Sequence, residues 1–210
     1  MGALLGERMP KKLKTSLPLT FGFAAIAMGV FLIVKMENLT IVVLSLLLGV
    51  CAGELLDLEH RLHRGIKKLG TKIDMFNHTD EQRERYITLI VIFCAGGTGI
   101  FGALMEGIDG DSSILLTKST LDFFTSMIFA SSLGYSVMAL GFFQVVPFLA
   151  LFFSAHLIAP LLTPSAVANF TGIGGIISVV IGFRLAHIKH VDVTNLLPAL
   201  LIVLFLSRIL

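Results

Sequence analysis

Residues 21–49 read FGFAAIAMGVFLIVKMENLTIVVLSLLLG, two apolar stretches hinged by a short polar turn at Lys35–Asn38. Each stretch approaches the ~20 residues that a helix rising ~1.5 Å per residue needs to cross a bilayer. The outline returns at 172–202, GIGGIISVVIGFRLAHIKHVDVTNLLPALLI, with its polar turn at His187–Asp192. Gly22 aligns with Gly175, Gly29 with Gly182, and Leu32 with Leu185. The repeat unit is therefore a helical hairpin, 17–53 in its first copy and 165–209 in its second.

Working outward, further apolar segments fall at 86–106, 114–137 and 139–161, the central spans. With 17–34, 38–53, 165–186 and 193–209 they predict an all-α polytopic membrane helix bundle of about seven spans, one membrane domain over 1–210. Composition agrees. The chain is 55% hydrophobic and 14% charged, with a mean hydropathy of +0.91, more apolar material than a soluble domain of this length uses. The net charge of +2 is not gathered into a basic stripe, which argues against a nucleic-acid partner and leaves the lipid bilayer as the expected one. Cys51 and Cys94 sit inside apolar segments without disulfide or metal-ligand spacing.

Orientation follows from lysine and arginine alone. The stretch before residue 17, the loop after 53 and the turn after 182 together carry 13 of the 16 basic residues. All three face one side if the N-terminus is cytoplasmic. The two hairpins then run in opposite directions, an inverted-topology repeat of the kind that builds many secondary transporters.

Between the first hairpin and the central spans, Leu55, Leu58, Leu62, Ile66, Leu69 and Ile73 recur at steps of three and four. The spacing predicts an interfacial amphipathic helix over 54–74. Such a helix lies on the inner leaflet, covers its own bundle, or binds a partner through a short heptad seam.

The chemistry centres on Asp122, a carboxylate opening the apolar run from Phe123 to Ala155, with Lys118 one turn before it. Charges at membrane depth are costly, so they are paired, buried and functional by default. Residues four apart share a helix face. Two readings stand. Lys118 snorkels to the outer headgroups with Asp122 as its counter-ion, or the pair lines a polar cavity in which Asp122 binds a cation or proton and Lys118 attracts an anion. Ser126 adds a hydroxyl nearby. Thr98, in the Gly-Gly-Thr-Gly run at 96–99, would join the site if that run unwinds and exposes carbonyls; otherwise the glycines serve close packing. Gln144 and Asn195 each line a pathway or hydrogen-bond within the bundle. Pro198 leaves the Thr194 carbonyl without its usual partner.

Other polar residues contribute less. The pairs His60/His63 and His187/His190 have i,i+3 spacing but no convincing third ligand, so no metal or cofactor is expected. The Asn-x-Thr sequences at Asn38, Asn77 and Asn169 would matter only as glycosylation acceptors in a secreted chain and carry no weight here. No hydrolase motif or phosphate loop occurs, and an enzyme is not expected.

The stretch FCAGGTGIFGALMEGIDGDSSILLTKSTLDFF (93–124), with KMEN (35–38), GELLDLEHRL (53–62), GIGGIISVVIG (172–182) and NLLPALL (195–201), resembles the prokaryotic domain-of-unknown-function 554 family. The resemblance covers nearly the whole chain and implies a prokaryotic cytoplasmic (inner) membrane protein. It supplies no reaction, because the family has no settled activity and is only loosely labelled as transport-related. Family members usually carry one more apolar segment ahead of the sequence that stands here as GALLGERMP (2–10), which would give eight spans with both ends outside. At Phe123 the family pattern has the small residue of an Asp-Gly pair.

The resulting expectation is a small secondary transporter or ion-conducting protein moving a small ion or solute. Seven spans enclose little volume, so a homo-oligomer, a dimer first, is expected. The alternative is a non-transporting membrane sensor or scaffold acting through 54–74.

Overall fold

A computed structural model describes residues 11–62, 64–65, 86, 93, 97–158, 162–186, 188–189 and 191–209. Among them the secondary structure is helical throughout, with no strand. The elements are α1 (Lys11–Ile33), α2 (Leu39–Leu55), α3 (Gly97–Asp109), α4 (Ser113–Leu133), α5 (Val137–Ile158), α6 (Pro164–Leu185) and α7 (Pro198–Ile209). Short 3-10 turns at Gly134–Ser136 and Val193–Leu196 precede α5 and α7. Of the described helices, 134–155 and 164–185 are long and apolar enough to cross a membrane; Leu19–Ile33, Leu39–Leu55, Gly99–Ile108 and Val193–Ile209 are apolar but shorter.

Local chemistry sets the helix ends. Asn38 caps α2, its side chain accepting from the Ile41 amide at 3.2 Å. Thr163 does the same for α6 through Ala166 at 3.1 Å, with Pro164 at the first helical position, where its missing N–H costs nothing. The helix predicted over 54–74 departs from expectation at its start. Glu54 and Leu55 belong to α2, and the chain then turns through Asp57, a non-glycine residue at φ 47°. Helix resumes at 58–62 and 64–65; the remainder of the predicted segment, like His63, Asn77, His187 and His190, lies outside the described residues.

Pro198 withholds the usual helical partner from the Thr194 carbonyl, as expected. The 3-10 turn ahead of it lets the Thr194 carbonyl accept from the Leu197 amide at 3.2 Å, so that carbonyl does not go without a partner.

The two hairpins pack on each other helix by helix. Among the described elements α1 and α6 form the most extensive pairing, and α2 lies along α7. Glycine permits the first of these contacts. A Cβ placed on Gly22 would fall 2.7 Å from the Gly182 carbonyl oxygen and from Ala186, and one on Gly175 would fall 2.6 Å from the Gly29 oxygen and 2.8 Å from Ile33. These contacts are reciprocal under the alignment of Gly22 with Gly175 and Gly29 with Gly182. Leu32, Val42, Phe101, Ile173, Ile177, Ala199 and Val203 fill the core among α1, α2, α3, α6 and α7. α3 extends the bundle toward α5, its most extensive partner, and α4 joins both.

Candidate functional site

Helix geometry alone brings Lys118 and Asp122 together on α4, and their Nζ and Oδ2 form an ion pair. Lys118 is buried, at 5% exposure. Its ammonium lies 5.6 Å from the ring centre of Phe93 and 5.4 Å from that of Phe148, within cation–π range of both. Gln144 on α5 donates its Nε2 to the same Asp122 Oδ2. Both donors converge on one oxygen, and no described residue hydrogen-bonds to Oδ1. The Asp122 side chain keeps 22% exposure.

That exposure opens into a cavity of about 720 Å³ between α3, α4 and α5. Asp122, Lys118, Ser126 and Gln144 all line it, as does Glu106, whose Oε1 accepts from the Ser112 hydroxyl at 3.1 Å. The Ser126 hydroxyl is turned back onto the Phe123 carbonyl at 2.9 Å. α3 runs as continuous helix from Gly97, so Thr98 lies in a helical turn and not on an unwound one; its side chain falls outside those described. The glycines of this segment make room. A Cβ on Gly99 would sit 2.2 Å from Phe148 and 2.7 Å from Lys118 Cε, which ties that glycine to the placement of the lysine.

Asn195 is not at this cavity. It belongs to a second buried polar cluster that joins residue 59, the end of α6 and the turn before α7. Arg184 Nη1 donates to Glu59 Oε1 at 3.0 Å and to the Val191 carbonyl at 3.2 Å. The Thr194 amide donates to Glu59 Oε2 at 3.0 Å, and the Asn195 side-chain oxygen accepts from the Glu59 amide at 3.0 Å. Burial alone would raise the Glu59 carboxyl, but hydrogen bonds from Thr194 and the guanidinium of Arg184 outweigh it and hold the group below its usual range. A third lock sits at the other hairpin turn. Fully buried Asn169 accepts from the amides of Glu37 and Asn38 at 3.2 and 2.8 Å and donates to the Ser207 hydroxyl at 3.1 Å.

The family profile described as "Protein of unknown function (DUF554)" matches residues 1–208. The chain belongs to the DUF554 family. Its relatives include the uncharacterized protein YqgA of Escherichia coli strain K12, 42% identical over 99% of this chain and 89% of that one. The uncharacterized membrane protein YdfK of Bacillus subtilis strain 168 is 26% identical over 96% of this chain and 88% of its own length. No solved structure matches.

In this DUF554 chain, Phe123 beside the candidate carboxylate is 60% exposed and packs edge-on to Phe124, with ring centres 5.4 Å apart. It lines the cavity next to Asp122 without displacing the pairing with Gln144. Glu59, Arg184 and Asn169 escaped the sequence reading. The visible signals were an acid on the apolar side of an amphipathic stretch and a lone arginine ending a glycine-rich helix. Neither identifies a partner more than a hundred residues away.

Proposed function

We propose that this DUF554 protein is a small secondary transporter or ion-conducting protein of the prokaryotic inner membrane. The observation that carries the reading is the partly exposed Asp122 carboxylate opening into a cavity of about 720 Å³. A charge that served only to neutralise a snorkelling lysine would need no such cavity, and Lys118 is buried beside it. Intramembrane carboxylates with solvent access mark ion and substrate paths.

The protein works as a polytopic bundle built on an inverted repeat. Supporting this are the reciprocal glycine contacts between α1 and α6 and the pairing of hairpin with hairpin. Large apolar side chains also face outward around the helices, including Phe31, Phe142, Phe153 and Phe205, an exposure that suits lipid better than water. The chain acts as a homo-oligomer and carries out no covalent chemistry.

A flux screen in reconstituted vesicles over protons, sodium, small anions, organic acids and organic cations tests the function. At least one flux is expected above empty vesicles, and Asp122→Asn should lose essentially all of it while keeping expression and oligomeric state. Full flux in the Asn variant would return the Lys118–Asp122 pair to a purely structural role.

Orientation has its own test. With the N-terminus cytoplasmic, a cysteine at position 67, in a variant lacking Cys51 and Cys94, should react with an impermeant maleimide only after the membrane is opened. Labelling of intact cells would reverse the assignment of every loop.

A further inference from the structure

We infer that the cavity between α3, α4 and α5 binds an organic monovalent cation, its charged head on the Oδ1 side of Asp122 and its apolar body on the aromatic wall. This deepens the transport reading and rests on it for biological meaning, though not for its test.

Charge comes first. Among the described lining residues Asp122 and Glu106 contribute two carboxylates and Lys118 one ammonium, an excess of one negative charge. A monovalent cation neutralises it. An anion would meet a lysine whose ammonium is already engaged by Asp122 and flanked by two rings. The wall comes second. Phe93, Phe123, Tyr135, Phe148 and Phe152 line a mostly apolar space. A bare metal ion wants about six oxygen ligands and is poorly served there, whereas an ammonium with a hydrocarbon body gains both ring faces and buried apolar area.

The site already solvates one such group. Lys118 is an alkylammonium held by one carboxylate oxygen and two aromatic rings, and no described residue hydrogen-bonds to Asp122 Oδ1, where a second such group would pair. A volume of about 720 Å³ fits a small organic molecule and far exceeds a hydrated inorganic ion's need.

The test is calorimetric titration of the full chain in detergent with benzyltrimethylammonium, using sodium and benzoate as controls. Saturable binding of benzyltrimethylammonium is expected, with neither control competing at equal concentration. Asp122→Asn should weaken it about tenfold or more, and Glu106→Gln should weaken it about threefold. Lys118→Gln should strengthen binding several-fold, because it removes the resident competitor; a lysine that only stabilises the bundle predicts loss instead. If Lys118→Gln does not fold, the two carboxylate variants decide.

No binding of benzyltrimethylammonium, binding undiminished in Asp122→Asn, or preference for benzoate would each overturn the inference. Binding involves no transport, so the two proposals fail separately. Asp122-dependent proton or sodium flux without benzyltrimethylammonium binding removes the organic cation alone. Binding without any flux removes transport alone.

Discussion

Arg184→Ala should destabilise the fold by roughly 3–5 kcal/mol, the usual cost of stranding one charge of a buried ion pair. Among the described residues, the variant leaves the buried Glu59 carboxylate to Thr194, and it frees the Val191 carbonyl from the guanidinium. Denaturation of the detergent-solubilised protein, followed by circular dichroism, should show an earlier midpoint. The double variant Glu59→Leu/Arg184→Met should recover most of the loss, because an apolar pair of similar size leaves no charge unpaired. A midpoint unchanged in Arg184→Ala would place this pair in water and not in the protein interior.

The same cluster sets a pH dependence whose sign is fixed. The Glu59 carboxyl is held below its usual range in the folded protein. Its contribution is therefore fully present above the unfolded value of about 4.3 and is lost as pH falls through the lower folded value. Wild type should lose stability on acidification below about pH 4.3, and Glu59→Gln, already weaker, should show a shallower slope there. Equal slopes would remove Glu59 from the account.

The second large effect is expected at the α1–α6 seam. Gly29→Ala puts a methyl group 2.6 Å from the Gly175 carbonyl oxygen and 2.8 Å from the Val179 amide nitrogen. Backbone cannot swing aside as a side chain can, so the helices must part. A cost of roughly 1–3 kcal/mol or more follows from overpacking, and Gly29→Leu should exceed it. Gly175→Ala meets the reciprocal contact and should cost a similar amount. Gly141→Ala is the control, since an added Cβ there meets nothing within 4 Å and the change should be neutral or stabilising. Thermal melts of the variants in one detergent make the comparison. Tolerance at Gly29 equal to that at Gly141 would mean that the seam opens freely.

What could be read in the chain followed the range of the interactions concerned. α2 and α6 lie within two residues of the apolar segments 38–53 and 165–186, because hydropathy and caps such as Asn38 and Thr163 act locally. Lys118 and Asp122 were legible as a pair because four residues make one helical turn. The aromatic rings over the lysine were not, since Phe93 and Phe148 come from opposite sides in sequence. Asn195 carries two readings in the sequence, a pathway residue or a hydrogen bond within the bundle, and the bond it accepts from the Glu59 amide across 136 positions of chain fits the second. Asn169, part of an uninformative sequon by pattern, closes the turn of the first hairpin. Asp57 broke the predicted 54–74 helix at its start through a positive φ that leucine spacing does not report.

Asn169 also imposes an order on biosynthesis. The Glu37 and Asn38 amides it receives are made 132 and 131 residues earlier. At translation rates of roughly 5–20 residues per second, the first hairpin leaves the ribosome on the order of ten seconds before its turn can be closed. During that interval another acceptor must receive those two amides. Closure of the first hairpin's turn therefore waits on the synthesis of residue 169.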